Sequence, residues 1–279
     1  TYQDILILKM SKNNYINPCK NNVGAFIDVD LNLIDNEVIN EIKKAVNDYG
    51  VIFFRNQNLN SKTYIKFANN FGQCADYPML KGLKNYPEIT VVEKKPNEKI
   101  MFGEGWHTDS TYTSKPPRFT MLYSIKTPQK GKGNTRFASQ YLSYEQLENE
   151  YKKKIDGLKC IFSADGPISK TRNNRTAEKG TGIDPGSLKA EHKIVKINEH
   201  NNKKSIYLSP GHVTGIVGVK KDEGQKLLKY LFRHQVKQEF IYSFEWEPNS
   251  IAMWNNHAIL HNPVNDFNDH RVMHRITIQ

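Results

Sequence analysis

A His-x-Asp triplet at residues 107–109, in the segment FGEGWHTDSTY, constrains this chain more than any other feature. In an extended backbone, side chains two positions apart point to the same side, so His107 and Asp109 can both coordinate one metal ion. Such triplets also occur often by chance, and the alternative interpretation is a hydrogen-bonded pair in a loop. The triplet therefore predicts a metal centre only if a third ligand comes from elsewhere in the chain.

Histidines late in the sequence could supply the third ligand, and they are His257, His261, His270 and His274. Residues 251–254 (IAMW) are an apolar run typical of a buried strand, and we expect this strand to deliver His261 to its end. Two histidines and one carboxylate on one face of a metal, with the other positions open, form the ligand set of non-haem Fe(II) oxygenases. The pattern thus predicts an iron site made by His107, Asp109 and His261.

Short strand-like runs are spread along the chain. Residues 23–31 (VGAFIDVDL) alternate apolar and polar side chains as a half-buried strand does, and residues 51–55 (VIFFR) form a short buried run. We expect closing strands over 250–255 and 271–278. Residues 1–22 are polar and irregular and are predicted to be loop.

Helices are expected between these strands, because apolar residues recur there at helical spacing. The predicted helices are 33–49, 61–72 and 221–235. Asp35 or Asn36 is the expected N-cap of the first helix, and Ser61 that of the second. Gly72 is expected to end the second helix.

Taken in order, these segments resemble the TauD/TfdA family of Fe(II)/2-oxoglutarate-dependent oxygenases. The resemblance is carried by GVIFFRNQNL, FANNFG, YPEITVVEK, FGEGWHTDSTY, SKPPRFTMLYSIKTPQKGKGNTRFAS, LSPGHVTGIVG and FEWEPNSIAMWNNHAILHNPVNDFNDHRVMHRITI. It covers most of the chain in the family's order. It implies a mainly β fold, a double-stranded β-helix (jelly roll) with helices packed outside. It also implies a dioxygenase that uses Fe(II), 2-oxoglutarate and O2 and releases succinate and CO2.

The resemblance also implies roles for individual residues. The family's distal iron ligand follows the pattern W-x-N-x-x-x-x-H, which here gives Trp254, Asn256 and His261. An Arg about ten residues later holds the far carboxylate of 2-oxoglutarate, and Arg271 fits that position. A Thr after a G-G-D-T turn assists it; here the turn is GKGNT, which puts Thr135 in the role although the second Gly and the Asp are missing from their usual places.

For the substrate, the resemblance points to Arg275, which the family uses on the substrate's anionic group and which also lies beside 2-oxoglutarate. Sulfonate-oxidising relatives hold their substrate with a His, a Tyr and an Asn where this chain has Tyr77, Leu80 and Gly103. Those departures argue against taurine itself and favour another small anion: a sulfonate, carboxylate or phosphonate. Phe102 is expected to wall the pocket.

The net charge of +11 allows other functions, but its distribution does not favour them. The basic residues are scattered, the longest run is 152–154, and no basic stripe interleaved with aromatics is present, so no nucleic-acid partner is expected. Three alternatives remain open: an oxygenase acting on a macromolecule (a nucleic acid or a protein side chain), a zinc hydrolase, and a non-catalytic metal-binding barrel.

Length and cysteine usage set the remaining expectations. A chain of 279 residues can form one domain, here 1–279, with a lid or insertion at about 165–205. Three distant cysteines without a CxxC pair predict free thiols and a cytoplasmic protein. The sequence has no apolar run near the ~20 residues of a membrane helix, so no membrane partner is expected. The resemblance implies a homo-oligomer, a dimer or a tetramer.

Overall fold

Most of the regular structure is β-strand. The computed structural model describes residues 15–172 and 178–279. Its strands are β1 Ile16–Pro18, β2 Ala25–Ile27, β3 Val51–Phe54, β4 Cys74–Ala75, β5 Thr90–Lys94, β6 Phe119–Lys126, β7 Thr135–Ser139, β8 Lys159–Ser163, β9 Lys189–Lys193, β10 Val195–Ile197, β11 Lys204–Ile206, β12 Val213–Ile216, β13 Ile241–Phe244, β14 Ile251–Asn255, β15 Ile259–Pro263 and β16 Arg271–Ile278. Its α-helices are α1 Asn36–Tyr49, α2 Ser61–Ala68, α3 Gln140–Glu145, α4 Asn149–Ile155 and α5 Lys221–Gln235.

The strands form one large sheet and three small ones. The large sheet has the order β1-β2-β3-β14-β6-β16-β4, and β5 also pairs with β16. The small sheets are β13-β7-β15, β12-β8-β9 and β10-β11. Among the described residues, β2–β3 is a parallel pair and the other strand pairings are antiparallel. This arrangement confirms the predicted jelly-roll class.

At β3 the large sheet is buried on both faces, which explains the continuous apolar run in this strand. Val51 and Phe53 point to one face, where they pack with Phe137 of β7 and Phe244 of β13. The intervening residues, with Ile52 among them, point to the other face and pack against α1 and α2. Because strand side chains alternate, a strand that is covered on both sides is usually apolar along its whole length. The candidate site lies on the face that meets the β13-β7-β15 sheet.

Of the two predicted N-caps, the first is confirmed and the second is wrong. Helix α1 is capped by Asp35, whose carboxylate accepts a hydrogen bond from the Val38 N–H at 2.9 Å. The prediction of Ser61 as the next cap is wrong, because the Asn60 side chain accepts from the Thr63 N–H instead. That helix also ends at Ala68, short of the predicted end.

Two predicted segments fall partly outside the described residues. The loop predicted over 1–22 is described only from residue 15, and there it contains the short strand β1. The segment at about 165–205 contains β9 and β10, and β9 pairs with β8. Residues 173–177 of that segment lie outside the described ones. Its role as a lid and the single-domain organisation stay predictions.

Two further expectations concern cysteines and membranes. All three cysteines are free thiols, as predicted from their spacing. Over residues 15–172 and 178–279, no helix has both the length and the apolar character needed to cross a bilayer.

Candidate active site

Three side chains from two distant parts of the chain converge at one point. Ligand atoms of His107, Asp109 and His261 all lie within 4.8 Å of one another, and all three residues are buried. Throughout the described part of the chain, no other group of three His, Cys, Asp or Glu side chains is this well placed to hold a metal ion. Two imidazoles and a carboxylate form a facial set that suits Fe(II) and leaves other positions open.

A backbone bridge brings the two histidines together. The His107 N–H donates to the His261 carbonyl at 3.0 Å, and the His261 N–H donates back at 2.8 Å. His261 lies in the middle of β15, which pairs with β7, so the expectation that strand 251–254 delivers it to its own end is wrong. A turn separates β14 from β15, and this second strand is the one that carries the ligand.

Asp109 is held by a short chain of hydrogen bonds. The Thr120 hydroxyl donates to Asp109 Oδ2 at 2.8 Å, and the Asn256 side-chain amide donates to the Thr120 oxygen at 2.9 Å. The Trp254 indole N–H in turn donates to Asn256 Oδ1 at 3.0 Å. The Thr108 hydroxyl donates to the Asn256 carbonyl at 2.9 Å, so Thr108 faces away from its two neighbours. Trp254 and Asn256 thus orient the carboxylate.

The two imidazoles are fixed in different ways. His107 Nδ1 lies 2.8 Å from the Gly105 carbonyl, which makes Nδ1 the protonated nitrogen and leaves the Nε2 lone pair for a metal. His261 Nδ1 is buried, and none of the described residues forms a hydrogen bond with it. The His261 ring is instead packed between aromatic rings, 4.6 Å from that of Trp254 and 6.3 Å from that of Phe137 between centroids.

Electrostatics favour the protonation states that bind metal. Burial alone would raise the pKa of Asp109, but the neighbouring His261 and the Arg275 guanidinium, whose Nη1 lies 3.6 Å from Asp109 Oδ1, bring that pKa down to about 2. Burial lowers the pKa of His261 to about 3 and also lowers that of His107. Near pH 7 the carboxylate is therefore ionised and both imidazoles are neutral, so a metal displaces no proton.

The residues predicted to bind 2-oxoglutarate line the same cavity as the metal group. Thr135 and Arg271 both face this cavity and are 1% and 3% exposed. Nε and Nη2 of Arg271 are buried, and no described residue forms a hydrogen bond with either. Burial lowers the pKa of Arg271 to about 10, which still leaves it charged at pH 7. A buried cation with unpaired donors is costly unless an anion joins it, so the cavity fits a carboxylate.

The predicted substrate residues are divided between the cavity and its neighbourhood. Phe102, Gly103 and Arg275 line the cavity. Tyr77 and Leu80 do not line it and lie in an adjoining buried cluster that also contains Phe102. The two regions meet at Arg275, whose guanidinium carbon is 4.1 Å from the centre of the Tyr77 ring.

Several residues of the site were missed from sequence alone. Thr120 interrupts the apolar run FTMLY of a buried strand, a signal that could have been noticed. Trp246 and Arg172 gave no such signal, since each is near its partners only in the folded chain. Trp246 donates its indole N–H to Thr135, and the buried Arg172 packs by the site with its guanidinium 5.9 Å from the Tyr112 ring centre.

Comparisons with known proteins agree with this geometry. The family model described as "Taurine catabolism dioxygenase TauD, TfdA family" matches residues 15–277. An alkylsulfatase of Acinetobacter baylyi is 26% identical over 252 residues, covering 88% of this chain and 78% of that protein. An alpha-ketoglutarate-dependent sulfonate dioxygenase of Saccharomyces cerevisiae is 26% identical over 253 residues, covering 86% of this chain and 60% of that protein. The crystal structure of a taurine dioxygenase from Burkholderia xenovorans is 27% identical with a TM-score of 0.79, covering 94% of this chain and 88% of that chain.

The fold is a jelly roll, and its buried cavity is lined by two histidines, a carboxylate and arginines with unpaired donors. This combination is that of a non-haem iron oxygenase. The chain belongs to the TauD/TfdA family. It is accordingly an alpha-ketoglutarate (2-oxoglutarate)-dependent dioxygenase that uses Fe(II). The site fits that chemistry, since one buried cavity is lined by the two histidines, by the carboxylate and by the arginine whose donors are unpaired.

Proposed function

We propose that this dioxygenase hydroxylates a small organic anion whose charged group is a sulfonate, a sulfate ester, a phosphonate or a carboxylate. The observation that carries the proposal is the buried guanidinium of Arg275, which lines the cavity next to the metal group. Its Nε and Nη2 are buried and make no hydrogen bond to the described residues. An anionic substrate would satisfy these donors with charge-assisted hydrogen bonds, which are stronger than those that a neutral acceptor of the same size could form.

The geometry around Arg275 favours an anion that arrives at the edge of the guanidinium. The ring of Tyr77 covers one part of the guanidinium at 4.1 Å, and that of Phe102 lies 5.6 Å away. Aromatic rings contact the flat faces of a guanidinium and leave its N–H edge free. Two oxygens of a sulfonate, sulfate, phosphonate or carboxylate can meet that edge with two parallel hydrogen bonds.

The proposal gives the metal group a defined role. His107, Asp109 and His261 would hold Fe(II), which with 2-oxoglutarate and O2 supplies the oxidation of a substrate C–H bond and releases succinate and CO2. Thr120 holds the Asp109 carboxylate in one orientation, so that its other oxygen stays available to the metal.

The remaining residues of the cavity would bind 2-oxoglutarate or exclude water. Thr135 and Arg271 would hold the far carboxylate of 2-oxoglutarate. Apolar walls from Val92, Leu122 and Trp254 keep water away from the reacting groups. With its anion fixed at Arg275, the substrate would present a carbon near that anion to the metal.

The names of the relatives support the anionic class but not one substrate. They describe an alkylsulfatase, a sulfonate dioxygenase and a taurine dioxygenase, all of which concern sulfur oxyanions. This chain has Tyr77, Leu80 and Gly103 where sulfonate-oxidising relatives are expected to carry polar substrate contacts. We therefore propose an anion other than taurine, with Tyr77 as a partner of the anion-binding arginine.

Succinate release tests this proposal. The iron-loaded protein is supplied with 2-oxoglutarate, O2 and a panel of alkyl sulfonates, alkyl sulfates, carboxylates and phosphonates, each paired with a neutral alcohol or amide of the same size. We expect substrate-dependent succinate from one anionic series and only background from its neutral partners. Equal stimulation by the neutral partners, or stimulation by oligonucleotides or peptides alone, would contradict an anionic small-molecule substrate. Arg275→Ala should raise the KM for the active anion more than that for 2-oxoglutarate.

A further inference from the structure

We infer that Trp246 is a positioning residue for 2-oxoglutarate, because it aims the hydroxyl hydrogen of Thr135 into the cavity and supports the guanidinium of Arg271. The inference rests on the use of 2-oxoglutarate by this chain. It assigns a role to a residue that is neither part of the metal group nor one of the residues that line the cavity.

The first step is the direction of one hydrogen bond. The Trp246 indole N–H donates to Thr135 Oγ1 at 2.9 Å. An indole nitrogen is a donor only, so this bond must occupy a lone pair of the hydroxyl oxygen. The hydroxyl hydrogen is consequently turned away from the indole. Within the described residues the Thr135 hydroxyl donates to no other group, and the side chain lines the cavity, where a carboxylate oxygen would accept that hydrogen.

The second step is the contact with the arginine. The guanidinium carbon of Arg271 lies 5.8 Å from the centre of the Trp246 ring. A cation near an aromatic face is attracted by the ring's negative face, and the attraction is stronger when both groups are buried. Trp246 and Arg271 are each 3% exposed, so this contact helps to keep the guanidinium in place. Its Nε and Nη2, which have no hydrogen-bond partner among the described residues, can then bind a carboxylate.

The position of Trp246 explains why one side chain can serve both residues. Phe244 of β13 pairs with Thr135 of β7, and Trp246 follows two residues later. The rings of Phe244 and Trp246 pack edge to face with centroids 4.8 Å apart, which fixes the indole against the end of the strand pair. The indole is therefore held independently of the ligand, and its effect on Thr135 is already present in the empty pocket.

A double-mutant cycle tests the inference without turnover. The readout is the dissociation constant of 2-oxoglutarate, from anaerobic titration of the visible charge-transfer band of the Fe(II) protein. Trp246→Phe keeps an aromatic ring beside Arg271 but removes the N–H. It should weaken 2-oxoglutarate binding by about three- to tenfold, the loss expected for one neutral hydrogen bond. In a Thr135→Val background, the same substitution should have little further effect, because the hydroxyl that it orients is gone.

Other outcomes would overturn the inference. Equal weakening by Trp246→Phe in both backgrounds would mean that Trp246 acts only through general packing, and unchanged affinity in the first background would mean that it does not act at all. No substrate is present, so a wrong substrate assignment leaves the result unaffected. Absence of the band in the unmodified protein would overturn 2-oxoglutarate binding and this inference with it.

A second variant keeps the test valid if Trp246→Phe folds poorly. Benzothienylalanine placed at position 246 has the shape of tryptophan with sulfur in place of the N–H. We expect the same three- to tenfold loss of 2-oxoglutarate affinity, with the melting temperature of the metal-free protein lowered by no more than about 5 °C. Full retention of affinity by this isosteric replacement would overturn the inference.

Discussion

His107 and His261 form two backbone hydrogen bonds with each other, at 3.0 and 2.8 Å. In the sequence, 153 residues lie between them. Such a bridge sets the separation of the two residues through main-chain atoms, which a substitution by alanine leaves in place. Either ligand can therefore be deleted while the scaffold that presents the other persists.

The bridge leads to a prediction about iron binding. His261→Ala should abolish Fe(II) binding, because the group then retains only two ligands. His257→Ala is the matched control, since His257 Nδ1 accepts a hydrogen bond from Arg118 at 3.1 Å and the residue lies outside the metal group. Iron content after anaerobic reconstitution and desalting measures both. Retention of iron by the first variant, or its loss in the second, would show that the third ligand is misassigned.

A second prediction concerns the keto-acid pocket. Arg271→Ala should weaken 2-oxoglutarate binding by about 10- to 150-fold, which corresponds to a charge-assisted pair of about 1.5–3 kcal/mol. Arg136→Ala is the control: Arg136 is an exposed arginine next to Thr135 on the same strand, with its side chain on the opposite face. Anaerobic titration of the charge-transfer band measures the affinity. Similar affinities for the two variants would show that another cation holds the carboxylate.

A third prediction concerns the orientation of Asp109. Thr120→Val removes the hydroxyl that donates to the carboxylate and should weaken Fe(II) binding by about 10- to 100-fold, the usual cost of losing such a partner. Thr277→Val is a close control, because Thr277 pairs with Thr120 in the sheet but its hydroxyl donates to the Ala75 carbonyl. Competition with a metal-sensitive chelator gives the affinities. An equal loss in both variants would point to disturbed packing rather than to the carboxylate.

A fourth prediction concerns the pH dependence of stability. Burial is the main cause that lowers the pKa of seven of the nine histidines, which are His107, His192, His212, His234, His257, His261 and His274. In the unfolded chain they titrate near pH 6.5, so below that pH the unfolded state binds more protons than the folded state. The free energy of unfolding of the metal-free protein should therefore fall as the pH drops from about 6.5 toward 4.

One histidine isolates the effect. Burial lowers the pKa of His257 to about 3, so between pH 6.5 and 5 this residue alone could cost up to about 2 kcal/mol of stability. His257→Gln should make the fall in stability over that range shallower. Urea unfolding at pH 7, 6 and 5 provides the comparison, and the slope of the variant should be compared with that of His200→Gln, an exchange in a surface turn. Identical slopes for both would mean that His257 is not neutral in the folded protein.

Much of the fold follows from local pattern. Helix α5 and strand β16 have the predicted bounds because apolar residues recur along each at an unambiguous period. The run predicted as a strand over 23–31 forms only Ala25–Ile27, since regular pairing with its neighbours ends there. Asn60 and Ser61 are both good caps, and which one acts depends on where the chain turns into the helix.

The residues that line the candidate site could be predicted from the sequence, whereas those that hold them in place could not. The metal ligands are predicted from residue pattern and resemblance together, Thr135 and Arg271 from the family resemblance alone, and the structure brings them all to one cavity. Trp246 and Thr120 act through contacts between segments that are far apart in the sequence. Such contacts cannot be inferred from a single sequence. The resemblance also predicts Tyr77 as a substrate residue, yet Tyr77 does not line the cavity and reaches it through Arg275 and Phe102.

Strand β16 carries both cavity arginines and is also a partner of β4, β5 and β6. A chain still being synthesised would contain all three iron ligands before either arginine exists. At that stage β5 would have no strand partner among the described residues, and one edge of β6 would be open. Pairing of β16 therefore closes the sheet and, in the same step, brings both arginines to the cavity.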